Sequence, residues 1–382
     1  MTTSRFPSRS VVPSRSAVSS RSAVSSRSVS LGVGLTNACN LACSHCYRAE
    51  GTQALDAAEL LAAIYLLPVR SVNFGTGENA LHPDFGTVID ELARRGIRIT
   101  MTTNGYSAQV LSDARLQLFA EVEFSIDYPT PADHDRARGP GNWLLIEEQM
   151  ARCTRLGIRT TVLSVMMSTN FAQLPAVAAV AGARGALLRV NAFQAVTTAD
   201  CALSYAQFWQ GYRDLLAVAD LETCGEPIVR AMLGIARSPG AGCGSDTLRI
   251  TPRGALVACV YQSDGELRLS DLRQSGAEVL DDSRLGRDSG RPASCHDCPQ
   301  LPTCGGGCAS RRALAGRLGE PDPYCPLQPG RPPHGLMLQN AKSGEVLAKA
   351  SSACSTVFRY RTDPHRSAPR RLGGKSATPS IP

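Results

Sequence analysis

Three cysteines fall within eight residues, Cys39-Asn-Leu-Ala-Cys43-Ser-His-Cys46, directly after an apolar run. No other stretch constrains the chain as much. Thiolates hold iron–sulfur clusters, and a 4Fe-4S cube ordinarily takes four of them. A set of three leaves one iron without a protein ligand, open to a small molecule. The competing reading is a zinc knuckle with His45 as its fourth ligand. Three cysteines alone leave both readings standing.

The pattern around this loop alternates. Val29–Leu35 reads as a strand that delivers the chain to the cysteines, Asp56 caps a helix through Leu67, and Val72–Phe74 is extended. Phe85–Arg95 is helical, Ile97–Thr102 extended, and a helical segment around Leu111–Phe119 leads to a strand at Val122–Ile126. Trp143–Leu156 is helical, Arg159–Met167 extended, Leu174–Ala183 helical and Leu187–Phe193 extended. Strands alternating with helices of this length signal parallel βαβ units. Six units are too few for a closed eightfold barrel. In parallel α/β structures the working residues sit in loops after strand C-termini, and the cysteine loop follows the first strand.

Composition divides the rest. At 382 residues and 43% hydrophobic, the chain can bury one large core and a smaller second one. No run of eighteen apolar residues appears, so no membrane span is expected. The first thirty residues repeat Ser-Arg-Ser and Ala-Val-Ser-Ser-Arg and carry no acid, which predicts a disordered head over 1–29. An organellar transit peptide is the minor alternative for that head. Residues 201–242 read as a helical bridge, 243–326 as a small cysteine-rich domain, and 327–382 as a Pro/Arg-rich tail with a weak hairpin signal at Ser343-Gly344. Of the net +7, the head holds +5 and the tail +7, which leaves the middle at −5. A nucleic-acid binder carries its basic patch on the folded domain, so nucleic acid is not an expected partner. The start lacks an apolar signal-peptide region, and most of the fourteen cysteines have metal-type spacing. A reducing compartment, the cytoplasm, is therefore expected.

The second strand ends in Gly75-Thr76-Gly77-Glu78, where glycines let backbone approach a ligand and a carboxylate can pair with an ammonium. Thr103-Asn104-Gly105 follows the third strand and Ser125-Ile126-Asp127 the fourth; His134-Asp135-Arg136-Ala137-Arg138-Gly139 comes next. Alone, each is ordinary turn chemistry or a solvated charge. The second cysteine set is more specific. Cys243 is followed after ten residues by Gly254 and after four more by Cys259. Then come Cys295-x2-Cys298-x5-Cys304-x3-Cys308, and Cys325 sixteen residues later. Seven cysteines are awkward for one zinc and one short for two.

Cys-x3-Cys-x2-Cys followed by the aromatic Tyr47 resembles the cluster loop of the radical S-adenosylmethionine (SAM) superfamily. The second set resembles that superfamily's SPASM extension, cysteine by cysteine. The resemblance covers residues 31–326. It implies a partial (β/α)6 TIM-like barrel over 30–200, followed by a small SPASM domain. It also implies three 4Fe-4S clusters: one at Cys39, Cys43 and Cys46 whose free iron chelates SAM, and two auxiliary ones. The first auxiliary cluster would use Cys295, Cys298, Cys304 and Cys325. The second would use Cys243, Cys259 and Cys308, with Cys224 or Asp246 as fourth donor or with one iron open. Arg237 stands where relatives often supply another cysteine. Gly75, Thr76, Gly77 and Glu78 would contact SAM's amino group, Ser125 and Asp127 its ribose or methionine end, and Arg138 its carboxylate, with Asn104 nearby. Asn79 replaces the family's usual proline and Tyr128 its usual glycine. Cys153, Cys201, Cys224 and Cys354 are most simply structural.

The implied reaction is reductive cleavage of SAM to methionine and a 5′-deoxyadenosyl radical, which abstracts hydrogen from the substrate. An external donor such as flavodoxin or ferredoxin would supply the electron. A ribosomally made precursor peptide is the expected substrate, and the Arg-rich ends suit an acidic leader. The alternative is oxidation, decarboxylation or epimerisation of a small natural-product intermediate such as a sugar acid or nucleoside; little sequence before the first strand resembles a leader-binding domain. A non-catalytic electron-transfer protein is the distant third, since it has no use for the glycine motif. No general base stands out.

Overall fold

The computed structural model describes residues 28–48, 51–236, 247–262, 265–285, 290–337 and 356–361. Six strands run in chain order: β1 (Val29–Val33), β2 (Val69–Phe74), β3 (Arg98–Thr103), β4 (Phe119–Ser125), β5 (Thr160–Met166) and β6 (Leu187–Ala192). Each pairs in parallel with the next, so the expected alternation holds. The longer connecting helices each bury one face. In Phe85–Arg94 the stripe is Phe85, Val88, Ile89 and Leu92, the i, i+3, i+4, i+7 spacing of an amphipathic helix. Gly96 ends that helix in the left-handed region (φ 71°), and Ile97 N–H returns to Leu92 C=O at 3.1 Å. Asp56 caps Ala57–Ile64 by accepting from Glu59 N–H at 2.7 Å, as the sequence indicated. The helical segment expected at Leu111–Phe119 is two short helices, Tyr106–Val110 and Asp113–Leu116, and Phe119 already belongs to β4.

The sheet continues past these six strands. β7 (Ala219–Cys224), β8 (Thr247–Ile250), β9 (Ala255–Val257), β10 (Leu267–Arg268) and β11 (Thr356–Tyr360) complete the order β10-β9-β8-β1-β2-β3-β4-β5-β6-β11-β7. β8 lies parallel to β1, and β9 and β10 fold back antiparallel. Two expectations change here. The bridge is not wholly helical: helix Tyr205–Val218 gives way to β7 before helix Pro227–Met232. The tail contributes β11, which lies antiparallel between β6 and β7 with Phe358 fully buried. The hairpin expected around Ser343-Gly344 lies outside the described residues, as do Arg237, Cys243, Asp246 and Cys354.

One cavity of about 230 Å³ touches residues from every strand of β1 to β6 and from β8 and β9. The sheet is therefore curved around a common interior. Its lower layer is polar: Arg189 on β6 forms a buried pair with Glu123 on β4, which also accepts from the Thr102 hydroxyl at 2.6 Å. Among the described residues no helix is long and apolar enough to cross a membrane.

Candidate radical SAM site

The cysteine loop is shaped from inside. Thr36 Oγ1 accepts from Ala38 N–H at 3.0 Å, and Asn37 donates to Gln53 through both backbone and side chain. Arg48 reaches back to the carbonyls of Asn37 (2.9 Å) and Leu41 (3.2 Å). Thr197, after β6, donates to Cys46 C=O at 2.8 Å. These bonds fix the loop backbone and leave Cys39, Cys43 and Cys46 half-buried along the cavity wall. Burial above all pushes the Cys39 and Cys43 thiols up.

The glycine motif docks on this loop. Glu78 N–H donates to Ala38 C=O at 2.8 Å and Gly75 N–H to Val33 C=O at 3.0 Å. Gly77 sits at φ 62°, and a Cβ there would stand 2.3 Å from Thr36 O and 2.5 Å from Ala38 O. Thr76, at φ 76°, is the only non-glycine in the left-handed region among the described residues. That conformation strains a β-branched side chain, and such strain collects at functional sites. The Thr76 hydroxyl lies 3.1 Å from the Tyr47 hydroxyl, which ties the motif to the residue after Cys46.

Gly77→Ala is expected to add about 1–3 kcal/mol of backbone strain and to push the cysteine loop from the motif. Measured by urea unfolding, its midpoint falls, and iron is lost from this site while the C-terminal sites stay loaded.

Glu78 is among the residues that line the cavity. It is buried, and its carboxylate accepts from the Thr103 hydroxyl, Asn104 N–H (3.0 Å) and Ser107 N–H (2.8 Å). Burial pushes its carboxyl up against the pull of those bonds. The side chain thus pins the motif to the end of β3. Asn104 lines the cavity; its Nδ2 donates to Asn40 Oδ1 (2.8 Å) and faces Cys39 Sγ at 3.7 Å. Asn79, in place of the usual proline, is fully buried.

Ser125 and Arg138 line the cavity; Asp127 stands behind its wall. Asp127 has no exposed side-chain surface and holds three partners: Arg138 at 2.7 Å, His45 Nε2 at 3.2 Å and Val165 N–H at 2.9 Å. Burial would raise its carboxyl, but Arg138 and then His45 outweigh that and hold it well below the usual carboxylate range. The Asp127 carboxylate thus ties Arg138 and His45 to β5. His45 is held by the same carboxylate through Nε2. No local motif marked Arg249, Arg253 and Tyr261, which bound the cavity from β8 and beyond. Arg249 pairs in register with Gly32, whose missing Cβ makes room for the guanidinium.

Among the described C-terminal cysteines, neighbouring thiols influence one another. After burial, the nearby thiols of Cys304 and Cys298 raise Cys295, and those of Cys304 and Cys295 raise Cys325. Cys308, pushed up to about 12 mainly by burial, senses Cys259. Gly306 N–H points at Cys304 Sγ (3.4 Å) and Arg311 N–H at Cys308 Sγ (3.5 Å), the donors that stabilise thiolate ligands. Cys224 donates to Glu226 C=O at 3.7 Å and lies on β7 opposite Thr356. Among the described residues no three Cys, His, Asp or Glu side chains are close enough to hold a single ion. A cube bonds its thiolates to separate irons and needs them further apart than the ligands of one zinc. The loop's donor set, three soft thiolates with Asn104 Nδ2 facing Cys39 Sγ, suits the cube.

A curved parallel sheet with this loop behind its first strand defines a radical SAM protein. Residues 33–178 match the Radical SAM superfamily. The chain is a radical SAM enzyme with a SPASM-type C-terminal region, and its cofactors are SAM and 4Fe-4S clusters. It is 26% identical over 352 residues to "Mycofactocin maturase MftC" of Mycolicibacterium smegmatis, covering 82% of this chain and 89% of that protein. Among solved structures, Streptococcus suis SuiB shares the fold at TM-score 0.63 and 18% identity, over 78% of this chain and 77% of SuiB. The structure of native anSMEcpe with bound AdoMet and Cp18Cys peptide matches at TM-score 0.61 and 16% identity, over 78% and 94%.

Proposed function

We propose that the chain modifies a ribosomally made peptide, using the cavity between β1–β6 and β8–β9. The observation that carries the reading is the convergence of Cys39, Cys43 and Cys46 with Gly75–Glu78, Asn104, Ser125 and Arg138 around that one cavity. Bound there, the cluster and SAM supply an electron and a hydrogen-abstracting 5′-deoxyadenosyl radical. The chain's own residues do the rest. The three cysteines hold the cluster, the Gly75–Gly77 backbone approaches SAM, Glu78 keeps that backbone against β3, and Asp127 aims Arg138 into the cavity. Cys295, Cys298, Cys304 and Cys325 hold one auxiliary cluster; Cys243, Cys259 and Cys308 hold the other. A cytoplasmic flavodoxin or ferredoxin is the electron source, and neither nucleic acid nor a membrane takes part.

The peptide follows from the relatives: one is named a maturase, SuiB has been solved with its precursor peptide SuiA, and anSMEcpe with a peptide. The test is anaerobic. The reconstituted, reduced chain is given SAM and synthetic peptides encoded beside its gene. A peptide-dependent rise in deoxyadenosine with a mass change on the peptide supports the reading. Inert peptides, with deoxyadenosine raised instead by a sugar acid or nucleoside, overturn it.

A further inference from the structure

Three buried charges meet behind the C-terminal cysteines. Arg311 has 6% of its side chain exposed, Glu226 6% and Asp322 none. Arg311 bonds Glu226 through two nitrogens (2.8 and 3.3 Å) and Asp322 through two (2.6 and 3.1 Å). Its guanidinium lies 4.7 Å above the Tyr324 ring and 5.5 Å from that of Phe208, and the two rings stack at 4.2 Å. Burying such a triad is expensive, and apolar packing often serves stability as well, so stability alone does not account for it.

Its placement does. Asp322 Oδ2 accepts from Cys308 N–H at 2.8 Å, while its backbone carbonyl accepts from Cys325 N–H at 2.9 Å. One residue thus grips a cysteine of each auxiliary set. Gly307 is a glycine for the same reason: a Cβ there would stand 2.3 Å from Asp322 Cβ. Arg311 in turn points its backbone N–H at Cys308 Sγ, and Glu226 arrives from the loop between β7 and helix Pro227–Met232. Charge in so dry a place is little screened. The potential of an iron–sulfur cluster is set by nearby net charge and by hydrogen bonds to its sulfurs.

We propose that Asp322, Arg311 and Glu226 form a hub that joins the two auxiliary cluster sites, fixing Cys308 against Cys325 and setting the reduction potential of the cluster at Cys308. This rests on the auxiliary ligand sets given above. The hub carries two carboxylates and one guanidinium, a net charge of −1. Asp322→Asn and Glu226→Gln each remove one negative charge at nearly constant shape. Arg311→Lys keeps the charge and loses the fork.

The full chain and each variant are reconstituted anaerobically with iron and sulfide, iron is counted, and potentials are read by EPR-monitored titration. Both carboxylate variants are expected to move an auxiliary potential upward, because the added electron meets less negative charge. The Cys39 cluster keeps its potential, and Arg311→Lys leaves all of them near wild type. Loss of iron from both auxiliary sites in Asp322→Asn, with the Cys39 site loaded, also supports the joining role. Fully loaded carboxylate variants with unchanged potentials overturn the hub, as does iron loss confined to one auxiliary site. A wild-type chain that takes up only about four irons overturns the ligand sets themselves, a result distinct from failure of the hub.

Discussion

Cys39→Ala is expected to abolish deoxyadenosine formation and to lower the iron of the reconstituted chain from about twelve to about eight per molecule. His45 Nε2 is engaged by Asp127, and Arg48 and Thr197 hold the loop backbone. Removing one thiolate from a cube that already lacks a fourth leaves two, and the cluster is lost. Cys43→Ala and Cys46→Ala are expected to behave alike. Cys153→Ala is the control: its thiol, fully buried in the core and pushed up to about 11 by burial, keeps all three sites loaded. Deoxyadenosine by chromatography and iron by colorimetry read both results. Full activity of Cys39→Ala would remove this loop from the chemistry.

The parallel half of the fold was legible because its signals are local. Each of β1 to β6 carries buried apolar residues, and most are followed by a helix with a buried apolar face, so period and punctuation agreed. β7 was not legible. Ala219-Asp-Leu-Glu-Thr-Cys224 has few β-branched residues and follows a long helical pattern, and it is a strand because β11 pairs with it from far along the chain. β11 itself alternates, with Thr356 and Phe358 buried and Arg359 exposed. It was hidden inside a tail whose prolines and arginines dominate its composition. Strand identity here is a property of the pairing, which no window of the sequence contains.

At the site, metal-type spacing was the readable part. Three thiolates in eight residues and the Cys-x2-Cys-x5-Cys-x3-Cys run constrain ligand chemistry wherever the chain goes. Carboxylates are different, because their role depends on what surrounds them. Glu78 and Asp127 fall where ligand contacts were expected, yet both are buried and engaged by the protein: Glu78 by β3 and the turn after it, Asp127 by His45 and Arg138. The Arg311 triad left no local trace, since Glu226 and Asp322 lie about a hundred residues apart.

Arg138→Met is expected to cost about 3–5 kcal/mol, because it leaves Asp127 charged and fully buried with only His45 and the Val165 N–H as partners. Methionine keeps most of the bulk, so the loss is electrostatic rather than a cavity. The pH dependence identifies it. In the wild type Asp127 titrates below its unfolded value, so its stabilisation is complete above the ordinary carboxylate pKa of about 4 and is lost only below it. In the variant the strongest lowering influence is gone, and burial acts to raise the same carboxyl. An acid raised on folding destabilises at high pH and is relieved as it takes up a proton. The difference in urea midpoints between the two proteins is therefore largest near pH 8 and narrows toward pH 4. SAM binding to the reconstituted variant weakens as well, since Arg138 lines the cavity beside Cys43. A pH-independent gap would mean that Arg138 acts through packing alone, and unchanged SAM affinity would remove it from the cofactor site.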